Sequence, residues 1–447
     1  MGKKREQWSS NIGFIFASAG AAIGLGAIWK FPYVTGTNGG GAFLLVFIAC
    51  TLLVGLPMLI AEFVIGRGSK KEAVSAYQKL APNSRWGHLG KLGVVGCFFL
   101  LSFYCVVGGW VLIYTVLSLT GQIIGPTTDY AQLFGSVIST PWIGILGLFI
   151  FLILNVIILS LGIKNGIERA NNILMPLLFI FFIILVIRSL TLEGASEGVR
   201  FFLQPDFTSL SAEGVLYALG QSFFALAVGF SCLVTYSSYL DKKESIPTAA
   251  VSVVVMNLFV SILAGLAIFP AIFALGYEPT EGPGLLFVML PAVFSEIIFG
   301  EIFLALFLLL FLFATLTSSF SLLEIIISAF TEKKVSTRKK ITIISGLVVF
   351  VGGIPAALSF GVLEHVQIFS LSIFDATDYL VSNIMLPIGC LLISLFISFK
   401  MERKLMEAEF LSGNNLSSQL FKIWLFLMRF VVPLVIIIVL IASLGIF

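Results

Sequence analysis

The chain has 447 residues, 59% of them hydrophobic and 11% charged, with a mean hydropathy of +1.09. A soluble domain carries about a quarter of its residues charged, so this composition excludes one large water-soluble core and points to an integral membrane protein. The formal net charge of +3 says little by its size and much by its distribution.

Eleven apolar runs approach the ~20 residues needed to cross the hydrocarbon of a bilayer. They cover 11–35, 41–66, 88–121, 141–161, 166–190, 212–240, 246–275, 293–330, 340–361, 366–398 and 419–446. The polar start MGKKREQW is not followed by an A-x-A-like site, so no cleavable signal peptide is expected. With a cytoplasmic N-terminus, 21 of the 26 Lys and Arg residues fall on the cytoplasmic side, whereas the opposite loops 122–140 and 276–292 hold none. This asymmetry predicts the orientation, and the odd number of spans leaves the C-terminus extracytoplasmic.

The first run contains AGAAIGLGAIWKFP, residues 19–32, with Gly20, Gly24 and Gly26 inside an otherwise spanning stretch. Each glycine costs roughly 1 kcal/mol relative to alanine within a helix. A second interruption, GQSFFALAVGFS at 220–231, lies in the sixth run. The two breaks are five spans apart and start from opposite sides of the membrane. That pattern predicts a five-plus-five inverted repeat, with halves at about 11–190 and 212–398 and an additional helix at 419–446. The bland alternative is that small residues merely allow close helix packing. Against it, TLTSSFS at 315–321 puts hydroxyls in the eighth run. Irregular backbone at membrane depth is tolerated where it lines a cavity. Its freed carbonyls can meet a hard cation, and its N–H groups can meet a carboxylate.

Other chemistry finds no support in the sequence. Cys50, Cys97, Cys105, Cys232 and Cys390 all lie in apolar runs without metal-ligand spacing and read as small buried hydrophobes. His88 and His365 join no metal or nucleophilic constellation, and no nucleotide-binding loop is present. The chain reads as neither an enzyme nor an ATP-driven pump. Glu62 is an acid within the second run and needs a partner or a polar cavity.

Taken together, REQW, GFIFASAGAAIGLGAIWKFPYVTGTNGGGAF, GLPMLIAEFVIGR, FYCVVGGW, GIERANNILMP, GQSFFALAVGF, GPGLLFVMLP and ATLTSS resemble the signatures of the neurotransmitter:sodium symporter family, in its bacterial amino-acid transporter branch. The resemblance runs over nearly the whole chain. It implies an all-α integral membrane fold with broken helices 1 and 6, and eleven spans are similar to bacterial members lacking a twelfth helix. It also implies one sodium site at Gly20, Ile23, Ala314, Thr317 and Ser318, with both hydroxyls present.

The family's other sodium site maps onto Ala22, Ala27, Ala225 and Asn257. Here Ala27 replaces the usual asparagine and Ala225 a usual hydroxyl, so the expectation is a weak or vacant site and transport on one sodium. Gln221, Asn257 and Ser261 mark the chloride region, where Phe47 replaces a tyrosine, so chloride is not expected to bind.

The substrate pocket maps onto Ala22, Gly24, Leu25, Gly26, Leu100, Tyr104, Phe224, Ala227, Phe230, Ser318 and Leu322. Gly24 stands where monoamine carriers have an aspartate, leaving room for a substrate carboxylate. The apolar remainder favours a hydrophobic or aromatic amino acid.

The resemblance gives an outer gate of Lys30, Asp378 and Phe224, and an inner gate of Arg5, Trp8, Tyr239 and Glu332. Lysine lacks the two-pronged geometry of arginine, so the outer latch should be loose and water-mediated. Gly166 and Pro176 carry the spacing that lets the inner end of span 5 unwind. The expectation is a sodium-driven symporter importing a small amino acid across the plasma (inner) membrane by alternating access. Its partners would be the amino acid, sodium and membrane lipid, with no nucleic acid. Two alternatives stay open: an importer of another small amine or osmolyte, and an uncoupled sensor or channel of the same fold.

Overall fold

In hydrocarbon every backbone N–H and C=O must be satisfied within its own segment, so apolar stretches of spanning length become helices. The computed structural model describes residues 6–125, 127–277, 282–331 and 337–443. Among the described residues, nine uninterrupted helices are long and apolar enough to span: Gly41–Ser69, Gly87–Leu119, Pro141–Ser160, Ile163–Leu190, Ile246–Ala274, Gly300–Thr331, Arg338–Ala357, Ile373–Phe399 and Ser418–Ser443. Two broken spans join them. Span 1 is Asn11–Ala22 plus Gly26–Thr37, bent by 52°. Span 6 is Ala212–Ala225 plus Cys232–Ser237. Among the described residues this gives nine or ten helical spans by length and composition, with the broken pair Ala212–Ala225 and Cys232–Ser237 beside them.

Burial sorts the spans into inside and outside. The apolar window of span 3 (Gly87–Leu119) is 72% buried, whereas those of span 5 (Ile163–Leu190) and span 11 (Ser418–Ser443) are 28% and 33% buried. Spans 3 and 8 pack most extensively on each other, and the first half of broken span 1 rests on spans 7, 8 and 5. Spans 5 and 11 leave most of their apolar windows unburied within the protein.

Several expected boundaries move. The eighth run was expected to begin at 293, but Leu285–Ser295 is a separate short apolar helix. The chain turns at Phe299, where φ is +62°, before span 8 starts at Gly300. Hydropathy reads through that turn because both flanks are apolar. The tenth span starts at Ile373 rather than 366. Residues 366–372 turn back on themselves, with an isolated bridge between Ile368 and Leu371 and positive φ at Phe369 and Ser370. The connections 122–140 and 191–211 hold helices of their own, Tyr130–Ser139 and Ala195–Leu203.

Candidate transport site

The site begins at the two breaks. Span 1 leaves helical geometry at Ile23 (φ −87°, ψ 86°) and resumes in wide π turns at Gly26–Lys30. Carbonyls flanking the break accept hydrogen bonds from other spans: Ala21 O from Ser318 Oγ at 2.9 Å, and Gly26 O, which also accepts from Phe31 N, from Gln221 Nε2 at 2.6 Å. Asn257 Nδ2 donates to Ala22 O at 3.3 Å. Span 6 breaks through three left-handed residues, Ala227 (φ +52°), Gly229 (φ +106°) and Ser231 (φ +62°).

Glu62 secures this second break. The carboxylate is fully buried in span 2 and accepts from Gly229 N at 2.7 Å, Leu233 N at 3.2 Å and Val234 N at 3.3 Å. These are the orphan donors at the start of the inner half-helix, and a negative charge at a helix N-terminus is favourable. The acid is thus partnered by the break itself.

Between the breaks lies a small cavity. All eleven expected pocket residues, Ala22, Gly24, Leu25, Gly26, Leu100, Tyr104, Phe224, Ala227, Phe230, Ser318 and Leu322, line it, together with Ala21 and Leu386. One end is polar: Leu25 N donates to Tyr104 Oη at 3.4 Å. The other end is lined by Leu100, Leu322, Phe230 and Leu386. Gly24 has no alternative, since an added Cβ would lie 2.6 Å from both Ser318 Cβ and Tyr104 Oη.

The expected cation residues also converge. A Cβ placed on Gly20 would lie 3.0 Å from Thr317 Cβ, which brings span 8 against the end of the first half-helix. Thr317 Oγ1 donates to Ala314 O at 3.1 Å and Ser318 Oγ to Ala21 O. Each hydroxyl has given its proton to a carbonyl, leaving lone pairs to face a cation. Gly20, Ala314, Thr317 and Ser318 thus lie where spans 1 and 8 meet and carry neutral oxygens of the kind a hard cation takes.

The second expected cation region differs. Asn257 Nδ2 donates to Ala225 O at 2.8 Å as well as to Ala22 O. The donor face of the amide is turned toward two carbonyl oxygens, and Ala27 and Ala225 add no side-chain oxygen. Ser261 Oγ donates to Asn257 O at 3.0 Å. Phe47 and Ala225 are buried in an apolar cluster with Phe31, Phe43, Phe202 and Phe269.

At the outer side, Lys30 Nζ lies over the Phe224 ring, 4.7 Å from its centroid. Among the described residues no ion pair joins Lys30 to Asp378. Asp378 Oδ1 instead accepts from Ser382 Oγ at 2.6 Å. Lys30, Phe224 and Asp378 share the wall of a vestibule of about 210 Å³ above the inner cavity. The outer-gate residues are therefore gathered, with the lysine against an aromatic face and no direct ion pair to the acid.

At the inner side Arg5 and Glu332 lie outside the described residues. Trp8 Nε1 donates to Tyr236 O at 2.9 Å and Trp8 N to Tyr239 O at 3.4 Å. Four groups here were not foreseen. Glu168 accepts from Ser9 N at 2.9 Å, and Glu6 accepts from Ile163 N at 2.6 Å. Glu324 pairs with Arg338 at 2.6 Å and accepts from Tyr239 Oη at 3.2 Å. An acid inside apolar span 8 was a sequence signal for Glu324; Glu6 and Glu168 sit in polar stretches and gave none.

The sequence profile described as the Sodium:neurotransmitter symporter family matches residues 5–130 and 138–447. The chain belongs to that family. It is 50% identical over 445 residues to the uncharacterized sodium-dependent transporter YhdH of Bacillus subtilis, covering 99% of each chain. A second uncharacterized sodium-dependent transporter, from Haemophilus influenzae, is 40% identical over 454 residues, again covering 99% of each. Among solved structures, MhsT in complex with L-phenylalanine superposes with a TM-score of 0.91 at 42% identity, covering 98% of this chain and all of the other. The protein is a multi-pass, sodium-dependent membrane transporter and not an enzyme.

Proposed function

We propose that this transporter is a symporter that carries an apolar or aromatic α-amino acid inward together with a single sodium ion, by alternating access. The observation that carries the reading is the cavity at the break of span 1. Its polar end offers the backbone N–H groups beside Gly24 and the hydroxyl of Tyr104, suited to a carboxylate, while its other end is apolar. The phenylalanine bound to MhsT supports the same substrate class. Gly20, Ile23, Ala314, Thr317 and Ser318 would hold the sodium.

Two features support the one-sodium reading. The NH₂ group of Asn257 stands toward Ala22 O and Ala225 O, satisfying carbonyls that a second sodium would otherwise need. Ala27 and Ala225 supply no side-chain oxygen in compensation. The apolar, buried Phe47 and Ala225 support a transporter that does not use chloride at the Gln221, Asn257 and Ser261 region. The excess of Lys and Arg in alternate loops supports a cytoplasmic N-terminus in the plasma (inner) membrane. The repeat halves would be 11–190 and 212–398, with 419–446 as an added helix.

A thermal-shift screen of amino acids in sodium or choline tests the reading, because a ligand that binds only the folded protein stabilises it by mass action. A sodium-dependent hit among apolar or aromatic amino acids, followed by uphill uptake into proteoliposomes with one sodium per substrate, is the expected result. A hit confined to amines or osmolytes would replace the substrate class. Binding without gradient-driven accumulation would replace symport with sensing or leak. Two sodium ions per substrate would reject the single-site reading.

A further inference from the structure

Span 5 carries a buried amide that the transport cycle described so far does not use. Asn171 is fully buried and lies midway between Gly166 and Pro176. Its Nδ2 donates to Ile167 O at 2.9 Å. That bond fixes the amide, because rotating it would set two carbonyl oxygens against each other. Oδ1 must then face the first span, where it has no hydrogen-bond partner. A Cβ added at Gly20 would collide with this oxygen, at a point where Thr317 Cβ is 3.0 Å away.

Gly20 and Thr317 belong to the proposed cation set. A buried carbonyl oxygen without a donor is costly, and this one lies against the backbone of Gly20 at the place where Thr317 of span 8 also approaches. We infer that Asn171 Oδ1 is a further oxygen for the sodium ion held between spans 1 and 8, met directly or through one bound water. The inference rests on the cation set proposed above and adds a residue from a third span to it.

The second arm of the amide gives the placement a consequence. Ile167 belongs to the wide-turned segment Ile163–Glu168 at the inner end of span 5. Asn171 therefore holds that segment's carbonyl with its NH₂ group while offering its oxygen to the cation.

Binding of radioactive sodium to the purified full-length protein, with no organic substrate present, separates the two levels. Wild-type protein that binds no sodium defeats the cation set as a whole. If wild type binds, Asn171→Ala and Asn171→Leu are expected to raise the half-saturating sodium concentration roughly tenfold or more, the usual effect of losing an ordered partner at a metal site. The preference for sodium over lithium should change in the same variants, since the size of the coordinating shell changes. Asn171→Asp keeps an oxygen and adds a charge beside the cation, so its half-saturating concentration should fall below that of wild type. An unchanged sodium affinity in folded Ala and Leu variants overturns the inference and leaves Asn171 a packing residue. Should those two variants fail to fold, an unchanged affinity in Asn171→Asp overturns it alone.

Discussion

Replacing Glu62 by glutamine tests how the second break is held. The carboxylate accepts three backbone N–H groups, one on Oε1 from Gly229 and two on Oε2 from Leu233 and Val234. Glutamine can keep its carbonyl toward Gly229, but its NH₂ then faces the Leu233 and Val234 donors. Hydrogen bonds to a charged group contribute about 1.5–3 kcal/mol each, so losing two and the charge at the half-helix start weakens this segment by about 3 kcal/mol after local relaxation. Every 1.4 kcal/mol is a factor of ten in an equilibrium, so amide hydrogen exchange across residues 229–237 should quicken roughly a hundredfold. Sodium-dependent substrate binding should weaken with it, because Ala227 and Phe230 line the cavity from the same break. Exchange within about threefold of wild type, with normal uptake, would refute the reasoning and mean that these N–H groups do not depend on the charge of Glu62.

Gly24→Ala should abolish sodium-dependent uptake in a protein that still reaches the membrane, because the new methyl would sit 2.6 Å from Tyr104 Oη and Ser318 Cβ; uptake at wild-type rate would disprove the tight fit. Ala27→Asn returns one missing oxygen beside Ala22 and Asn257, and the Hill coefficient for sodium in uptake should rise from near one toward two; no change would mean that the Asn257 amide still fills the region. Glu324→Ala leaves Arg338, whose side chain is 14% exposed, without its anion. Stripping one partner from a buried pair costs about 3 kcal/mol, so thermal inactivation should come markedly earlier and be partly recovered by adding Arg338→Met. Equal inactivation profiles for Glu324→Ala and wild type would show the pair to be dispensable.

What the sequence made legible was local. Gly20, Gly24 and Gly26 within one apolar run can be read without a structure, because a glycine cluster at membrane depth has few structural uses other than irregular backbone or close packing. Most of the cavity residues belong to continuous motifs, whereas Leu100 and Leu322 lie just beyond them. Three kinds of information were not local. The direction of the Asn257 amide depends on which neighbouring span presents carbonyls. The partners of Glu62 are backbone groups of another span, which no side-chain pattern announces. The contact of the Lys30 ammonium with the face of Phe224 depends on how spans 1 and 6 meet, which the expected loose pairing with Asp378 does not announce. Boundaries failed where apolar residues continue through a turn, as they do at Phe299 and again before Ile373, since hydropathy registers composition and not direction.

These differences bear on how ion and substrate are coupled. In a transporter whose sodium touches the substrate carboxylate, coupling is direct electrostatics. Under the single-sodium proposal, with the Asn257 NH₂ group donating to Ala22 O and Ala225 O, that route would be absent and something else would have to connect the two ligands. Ser318 is the residue placed to do so. It lines the cavity, its hydroxyl binds Ala21 O, and it belongs to the proposed cation set beside Thr317. A sodium ion drawn between spans 1 and 8 would hold the Ala21–Gly24 turn against Ser318, and that same turn shapes the pocket beneath Tyr104. Coupling would then be mechanical: the ion orders the broken backbone that the substrate must read, and the substrate's contacts with that backbone favour the arrangement the ion prefers. Linkage makes the effect reciprocal. On the proposed single-sodium reading the connection would run through the backbone of span 1 and not through a shared ion–carboxylate contact, so alanine at 27 and 225 would be compatible with coupled transport.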